Sequence, residues 1–249
     1  MSVLKIISYN ICALPKWLNQ FSNPFKRIDN MITFLNKTDA DIICIQEVFD
    51  KNIMSRLMVE LPKYYFCHYP IKSYLYMNSG LVICSKFPIL SRGRETFKDA
   101  CGEDRFSEKG LIYITVKIRN KIHTIINTHL NADAIFSSVK YSQEIRMKQM
   151  KQVLHRMTQY RNDVILCGDF NIHLYDRDVK DIIDEITTFK KYCIKSKKMI
   201  TFKEENKQLD YIFYLSNNKV PYKYSYKVFK TDDTTMSDHY PIQLNLTKK

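Results

Sequence analysis

The chain has 249 residues, 45% of them hydrophobic, which is enough length and apolar content for one large packed domain. Its 39 Lys and Arg against 26 Asp and Glu leave a net charge of +13, favouring a polyanionic partner such as nucleic acid, an anionic membrane face or a phosphorylated small molecule. Five Gly and seven Pro, no low-complexity tract and no internal repeat exclude linker-rich and solenoid chains, and no apolar run approaches the ~18 residues of a membrane span.

Seven cysteines lie mostly inside apolar runs, as Cys44, Cys84 and Cys167 do, and behave there as small core residues. The chain has no CxxC pair, which argues against structural zinc. The opening MSVLKIISYN reads as a strand rather than a signal peptide, so the expectation is an intracellular protein with reduced thiols, cytoplasmic or peripheral at a membrane.

In chain order, a first strand over Val3–Ser8 runs into Ser8-Tyr9-Asn10. Asn23-Pro24 caps and starts a helix over Phe25–Leu35. The buried strand Asp41–Ile45 ends on Gln46-Glu47-Val48, and a helix over Asn52–Leu61 carries Ile53, Leu57 and Leu61 on one face. Strands follow over Tyr64–His68, Gly80–Cys84, Gly110–Ile118 and Ile122–Asn127, the last ending on Asn127-Thr128-His129. The longest helix, about Val139–Tyr160, bears Met147, Met150, Leu154 and Met157 as a core stripe.

A strand over Asp163–Cys167 then meets Gly168-Asp169-Phe170-Asn171, before a short helix over Val179–Ile186. Residues 187–207 are basic and unpatterned, reading as a surface loop or a substrate-facing rim. Strands over Tyr211–Leu215, Ser225–Phe229 and Pro241–Leu246 close the chain, with Leu209-Asp210-Tyr211 and Ser237-Asp238-His239 beside them. Helices alternate with strands early and the middle is nearly all strand, which argues for two packed sheets with helices outside.

Six polar clusters at strand ends thus deliver amides, carboxylates and imidazoles to one edge. Oxygen-rich clusters suit a hard divalent cation, and histidines suit proton transfer or phosphate contact. A carboxylate after DIICIQ is costly to bury unless paired, and a cation is the simplest partner for Glu47, with Asn10 at the same place on the first strand. If the strand continues, Asp169 and Asn171 project to one side around Phe170, one handling water and the other a phosphoryl oxygen. His239 needs an orienting carboxylate, and Asp210 is better placed for it than the adjacent Asp238. His129 is a phosphate contact or serves the leaving group. His68, His123, His155 and His173 read as surface or packing residues. No GxSxG elbow, P-loop or GxGxxG is present.

In this order, from SYN near residue 10 to SDHYP near residue 240, these residues resemble the endonuclease/exonuclease/phosphatase superfamily along essentially the whole chain. The resemblance implies an α/β fold, a four-layer α/β/β/α sandwich in a single domain over 1–249, with a divalent metal, normally Mg²⁺ with Mn²⁺ as an alternative, at the strand ends. It implies metal contacts from Glu47, Asn10 and Asp238, water and phosphate handling by Asp169 and Asn171, an Asp210–His239 pair, and a phosphate contact from His129. It leaves open whether His239 or Asp169 is the general base.

Within the superfamily, YNICALP, QEVFDKNIMSRLMVEL, CGEDRFSEKGLIYITVKI and NTHLNAD with Arg146 and Gln149 are most similar to neutral sphingomyelinases. That likeness implies hydrolysis of sphingomyelin to ceramide and phosphocholine by a monomer at a membrane surface. Alternatives are a DNA or RNA nuclease, which suits the positive charge, an inositol-phosphate phosphatase, and a binding module with a dead site. Secreted relatives insert exposed aromatics into bilayers; here the candidates are Trp17 and the run Tyr222, Tyr224, Tyr226 and Phe229, for which alternate strand packing is the plainer expectation.

Overall fold

The computed structural model describes residues 3–14, 23–70, 77–133, 137–173, 179–195, 198–218, 222–232 and 236–248. Trp17 lies outside them. In chain order the elements are β1 (Val3–Ala13), α1 (Pro24–Thr38), β2 (Ile42–Val48), α2 (Lys51–Glu60), β3 (Tyr65–His68), β4 (Val82–Ser85), β5 (Ile89–Thr96), β6 (Gly110–Ile118), β7 (Lys121–His129), α3 (Val139–Thr158), β8 (Asp163–Asp169), α4 (Val179–Thr188), β9 (Tyr192–Ile194), β10 (Asp210–Ser216), β11 (Tyr222–Val228) and β12 (Ile242–Lys248).

Two six-stranded sheets form, with orders β11-β12-β1-β2-β4-β3 and β5-β6-β7-β8-β10-β9. Ile6, Cys44, Ile83, Ile114, Cys167, Ile212 and Leu244 pack between them. Residues of α1 and α2 pack on the outer face of the first sheet, and residues of α3 and α4 on that of the second. The result is the expected α/β/β/α sandwich.

Local sequence accounts for most elements. The Asn23 side chain accepts a hydrogen bond from the Phe25 amide, and Pro24 occupies the first turn of α1, where its missing N–H is harmless. Met150, Leu154 and Met157 of α3 are buried against the second sheet, confirming the core stripe. Strands β5 and β9 were not expected from the pattern. β5 is an edge strand with scarcely a buried residue, so it lacks the alternation that marks a half-buried strand. In β11, Tyr222 and Tyr226 pack toward the inter-sheet core as alternate packing expects, whereas Tyr224, on the same face of the strand, is exposed and departs from that expectation.

At the polar edge, β1 and β2 run parallel, as do β7 and β8, and bring the C-terminal ends of all four strands together. β10 runs antiparallel to β8 and β12 antiparallel to β1. Asp210 and the Ser237–His239 cluster therefore arrive at N-terminal strand ends, which antiparallel pairing places at the same edge. Gly168 permits close approach within the second sheet, since a Cβ there would sit 2.2 Å from the Thr128 carbonyl oxygen. No helix among the described residues is long and apolar enough to cross a membrane. The seven cysteines form no disulfide.

Candidate active site

Strand register builds the centre of the site. His129, Asp169 and Asp210 stand directly opposite one another on the adjacent strands β7, β8 and β10, forming one row across the second sheet. Asn10 and Glu47 face this row from the ends of β1 and β2. The Asn10 amide donates to Glu47 Oε1 and to Asp169 Oδ2, both at 2.9 Å, so one side chain bridges the two sheets and two carboxylates. Its own oxygen accepts from the Cys12 amide at 2.9 Å.

The backbone is bent at this edge. Cys12, Glu47 and Asn171 all adopt positive φ, at 49°, 62° and 49°. Such conformations are disfavoured for residues with a Cβ and concentrate where a site over-determines them. The register of β1 against β2 shifts between Asn10 and Ala13. Asn171 departs from the expectation of a continuing strand: β8 ends at Asp169, and the Asp169 carboxylate instead accepts the Asn171 amide at 2.9 Å. The Asn171 side chain donates to the Leu130 carbonyl at 3.0 Å.

His239 Nδ1 lies 2.8 Å from Asp210 Oδ2, the expected pairing, while Nε2 is 3.7 Å from Asp169 Oδ2. Burial opposes charge on this imidazole, but the Asp210 and Asp169 carboxylates outweigh it and raise its pKa to about 10. Burial likewise lifts the Asp210 carboxyl, to about 6. At neutral pH the pair is thus imidazolium and carboxylate, with the second imidazolium N–H turned toward Asp169.

His129 behaves oppositely. Burial and then Lys109 hold its pKa well below the usual value, so the ring is neutral. The Lys109 ammonium, 4% exposed, reaches Asp104 Oδ2 at 2.8 Å, the Leu130 carbonyl at 3.1 Å and His129 Nε2 at 3.2 Å. An ammonium only donates, so Nε2 accepts and Nδ1 carries the proton. Nε2 also lies 3.9 Å from Glu47 Oε1 and 3.7 Å from Asp169 Oδ2.

The residues can hold a divalent cation. Ligand atoms of Glu47, His129 and Asp169 lie within 4.8 Å of one another, as do those of Asp169, Asp210 and His239. Burial, and then the nearby Asp238, raise the Glu47 carboxyl to about 7. A carboxylate so disfavoured by its surroundings marks a place where positive charge is needed. The oxygen-rich donor set suits a hard ion.

Several supporting residues escape sequence reasoning. Gln46 and Asn127, both inside the polar clusters, join the sheets: Gln46 donates to Asn127 Oδ1 at 2.7 Å, and Asn127 donates to the Ile45 and Val82 carbonyls. Ser237 donates to the Asn10 carbonyl at 2.8 Å and so ties the Asp238–His239 segment to β1. Buried Arg27 donates to the Met236 and Cys12 carbonyls, holding the same two segments from below. The basic stretch 187–207 is not only a loop or rim. Thr201 is buried and its hydroxyl accepts the Leu209 and Asp210 amides, while Phe202 pairs with His239. Gln46, Asn127 and Ser237 carried a signal as members of the polar clusters and Lys109 as part of CGEDRFSEKG, whereas Arg27 and Thr201 carried none.

Lys109→Met should lower kcat about 100-fold or more, because it removes a buried cation aimed at the row and strands Asp104. Steady-state kinetics paired with thermal melting would measure this, and a wild-type kcat in a folded variant would refute it.

A model of the endonuclease/exonuclease/phosphatase family matches residues 7–239. A Staphylococcus aureus phospholipase C is 23% identical over 287 residues, covering 96% of this chain and 86% of that protein. A Listeria ivanovii sphingomyelinase C is 22% identical, covering 96% of this chain and 84% of that one. The crystal structure of a Staphylococcus aureus beta toxin mutant with bound magnesium ions superposes with a TM-score of 0.82 at 22% identity, covering 98% of this chain and 99% of that one.

Proposed function

Because the chain belongs to the endonuclease/exonuclease/phosphatase family, we propose that it is a Mg²⁺-dependent phosphodiesterase that cleaves a phospholipid headgroup, sphingomyelin first among the candidates. The observation that carries this reading is the convergence on Asp169 Oδ2, which lies 2.9 Å from the Asn10 amide and 3.7 Å from both His129 Nε2 and His239 Nε2. The named relatives support the lipid substrate: a phospholipase C and a sphingomyelinase C, each matched along most of its length.

Glu47, with Asn10 and Asp238, would hold the ion, and Mn²⁺ would fit the same oxygens. Bound Mg²⁺ would neutralise charge on the phosphodiester. His239, kept protonated by Asp210 and Asp169, donates its Nε2 proton toward a phosphoryl oxygen. Asp169 orients the attacking water and accepts its proton, a role the imidazolium cannot fill. Asn171 turns its second amide hydrogen toward phosphate, and neutral His129 lines the same space. One copy of the chain carries the whole set, which supports a monomer. Seven thiols without a disulfide support a reducing, intracellular compartment.

Purified protein assayed on sphingomyelin, phosphoinositide vesicles, inositol phosphates, plasmid DNA and RNA, with Mg²⁺, Mn²⁺ or EDTA, tests the reading. Metal-dependent release of phosphocholine is expected. Cleavage of DNA or RNA alone would instead make the +13 chain a nuclease.

A further inference from the structure

Beside the catalytic edge, the 3₁₀ turn Gly102–Phe106 and the first turn of α3 wall a groove of about 520 Å³. Glu103, Arg105, Phe106, Ser138 and Tyr141 line it. Three apolar side chains stand into solvent there, Phe106 at 62%, Val139 at 57% and Tyr141 at 42% exposure. Arg105 and Lys140 are exposed among them. A clustered apolar surface rimmed by charge marks a contact with something less polar than water.

The turn that walls the groove is hydrogen-bonded to the site. Asp104, between Glu103 and Arg105 in the same turn, accepts from the Ala132 amide and from Lys109 Nζ, both at 2.8 Å, and Lys109 reaches His129. Two side chains, those of Asp104 and Lys109, therefore link the groove wall to the catalytic row. Not every exposed apolar residue shares this position. Tyr65 is level with Ile42 through Ser85, at the opposite end of β2 from Glu47.

We propose that Phe106, Val139 and Tyr141, flanked by Arg105 and Lys140, form the surface with which the protein docks on a phospholipid bilayer. The proposal rests on the phospholipid reading of the site. A headgroup phosphodiester stays at the interface, so the catalytic edge must be brought to the membrane rather than the substrate to the edge. Apolar side chains beside that edge enter the headgroup–acyl boundary, and the two cations lie against the phosphate layer.

The test is co-sedimentation with sphingomyelin–phosphatidylcholine vesicles in EDTA, paired with hydrolysis of those vesicles and of p-nitrophenylphosphorylcholine in Mg²⁺. Phe106→Ser should weaken vesicle binding about tenfold, and the triple change with Val139→Ser and Tyr141→Ser should weaken it further. Vesicle hydrolysis should fall in parallel, while hydrolysis of the soluble ester and the melting temperature stay as in wild type. Wild-type vesicle binding by the folded triple variant would overturn the proposal. So would an equal loss on the soluble ester, which would make the patch part of the site. A wild-type dimer that the triple variant dissociates would also overturn it, by making the patch a self-association surface. Wild-type protein that binds vesicles through these residues but releases no phosphocholine from either substrate would uphold docking and sink the phospholipid reading instead.

Discussion

Glu47→Gln is expected to lower kcat/KM by three to five orders of magnitude and, in EDTA, to raise the melting temperature. Both effects come from one carboxylate. The wild-type oxygen accepts from Asn10 at 2.9 Å and lies 3.9 Å from His129 Nε2, so its charge is placed for a cation. Without the cation that charge is a burden, since burial and Asp238 raise the carboxyl from 4.5 to about 7. A folded-state pKa above the unfolded one means the folded protein binds the proton more tightly. The penalty is absent below about pH 4.5, grows as pH rises and is complete above about pH 7, where it is on the order of 3 kcal/mol.

Glutamine keeps the size and the acceptor without the charge. The metal-free variant should therefore melt several degrees higher at pH 8, and this gain should vanish near pH 4. Added Mg²⁺ should stabilise the wild type and leave the variant unchanged. Differential scanning calorimetry with and without Mg²⁺ gives both readings. Near-wild-type turnover by Glu47→Gln would remove Glu47 from the chemistry. A lower metal-free melting temperature would show that its charge is compensated by something else.

The second large effect is expected at His239. His239→Ala should reduce kcat by about 10³–10⁵, the range for a group that both donates a proton and stabilises developing charge. Asp210→Asn should reduce it less, by about 10²–10³, because the imidazole remains but loses the partner at 2.8 Å that orients and charges it. The two variants also differ in pH dependence. In wild type, Asp210 and Asp169 overcome burial and keep the imidazolium protonated toward pH 10. Without the Asp210 charge that protonation is lost at lower pH, so the alkaline limb of the kcat profile should move to lower pH in Asp210→Asn. A limb that stays in place, or a His239→Ala variant with normal kcat, would contradict the assignment of a protonated His239.

The candidate site was legible because its residues recur at strand ends, where apolar runs stop abruptly at amides, carboxylates and histidines. Asn10, Glu47, His129, Asp169, Asp210 and His239 all lie at the one edge, and Asp238 adds its field to Glu47. The reason given for placing Asn171 beside Asp169 was incomplete. Period-two reasoning assumed a strand, whereas an Asx-type bond from its amide to Asp169 turns the chain there. The supports were not legible. Arg27 and Ser237 act through backbone carbonyls of segments distant in sequence and Thr201 through the amides of Leu209 and Asp210, and no pattern in the chain foretells a partner 209 residues away, as for Arg27 and Met236. Edge strand β5 was invisible for the reverse reason, that an exposed strand has no apolar alternation to read.

By itself, then, the order of apolar runs and polar clusters determined two helix-covered sheets and a set of oxygen and imidazole donors suited to a metal and a phosphodiester. These follow from local periodicity and residue chemistry, which are properties of short segments. Only the tertiary structure decided the charge each group bears. It placed Asp210 and Asp169 around His239 and made it a cation, placed Lys109 against His129 and kept it neutral, and buried Glu47 near Asp238, whose effect together with burial outweighs that of Lys109 and His239. Protonation at a buried site depends on desolvation and on charges a few ångströms away, and those distances exist only once the two sheets have packed.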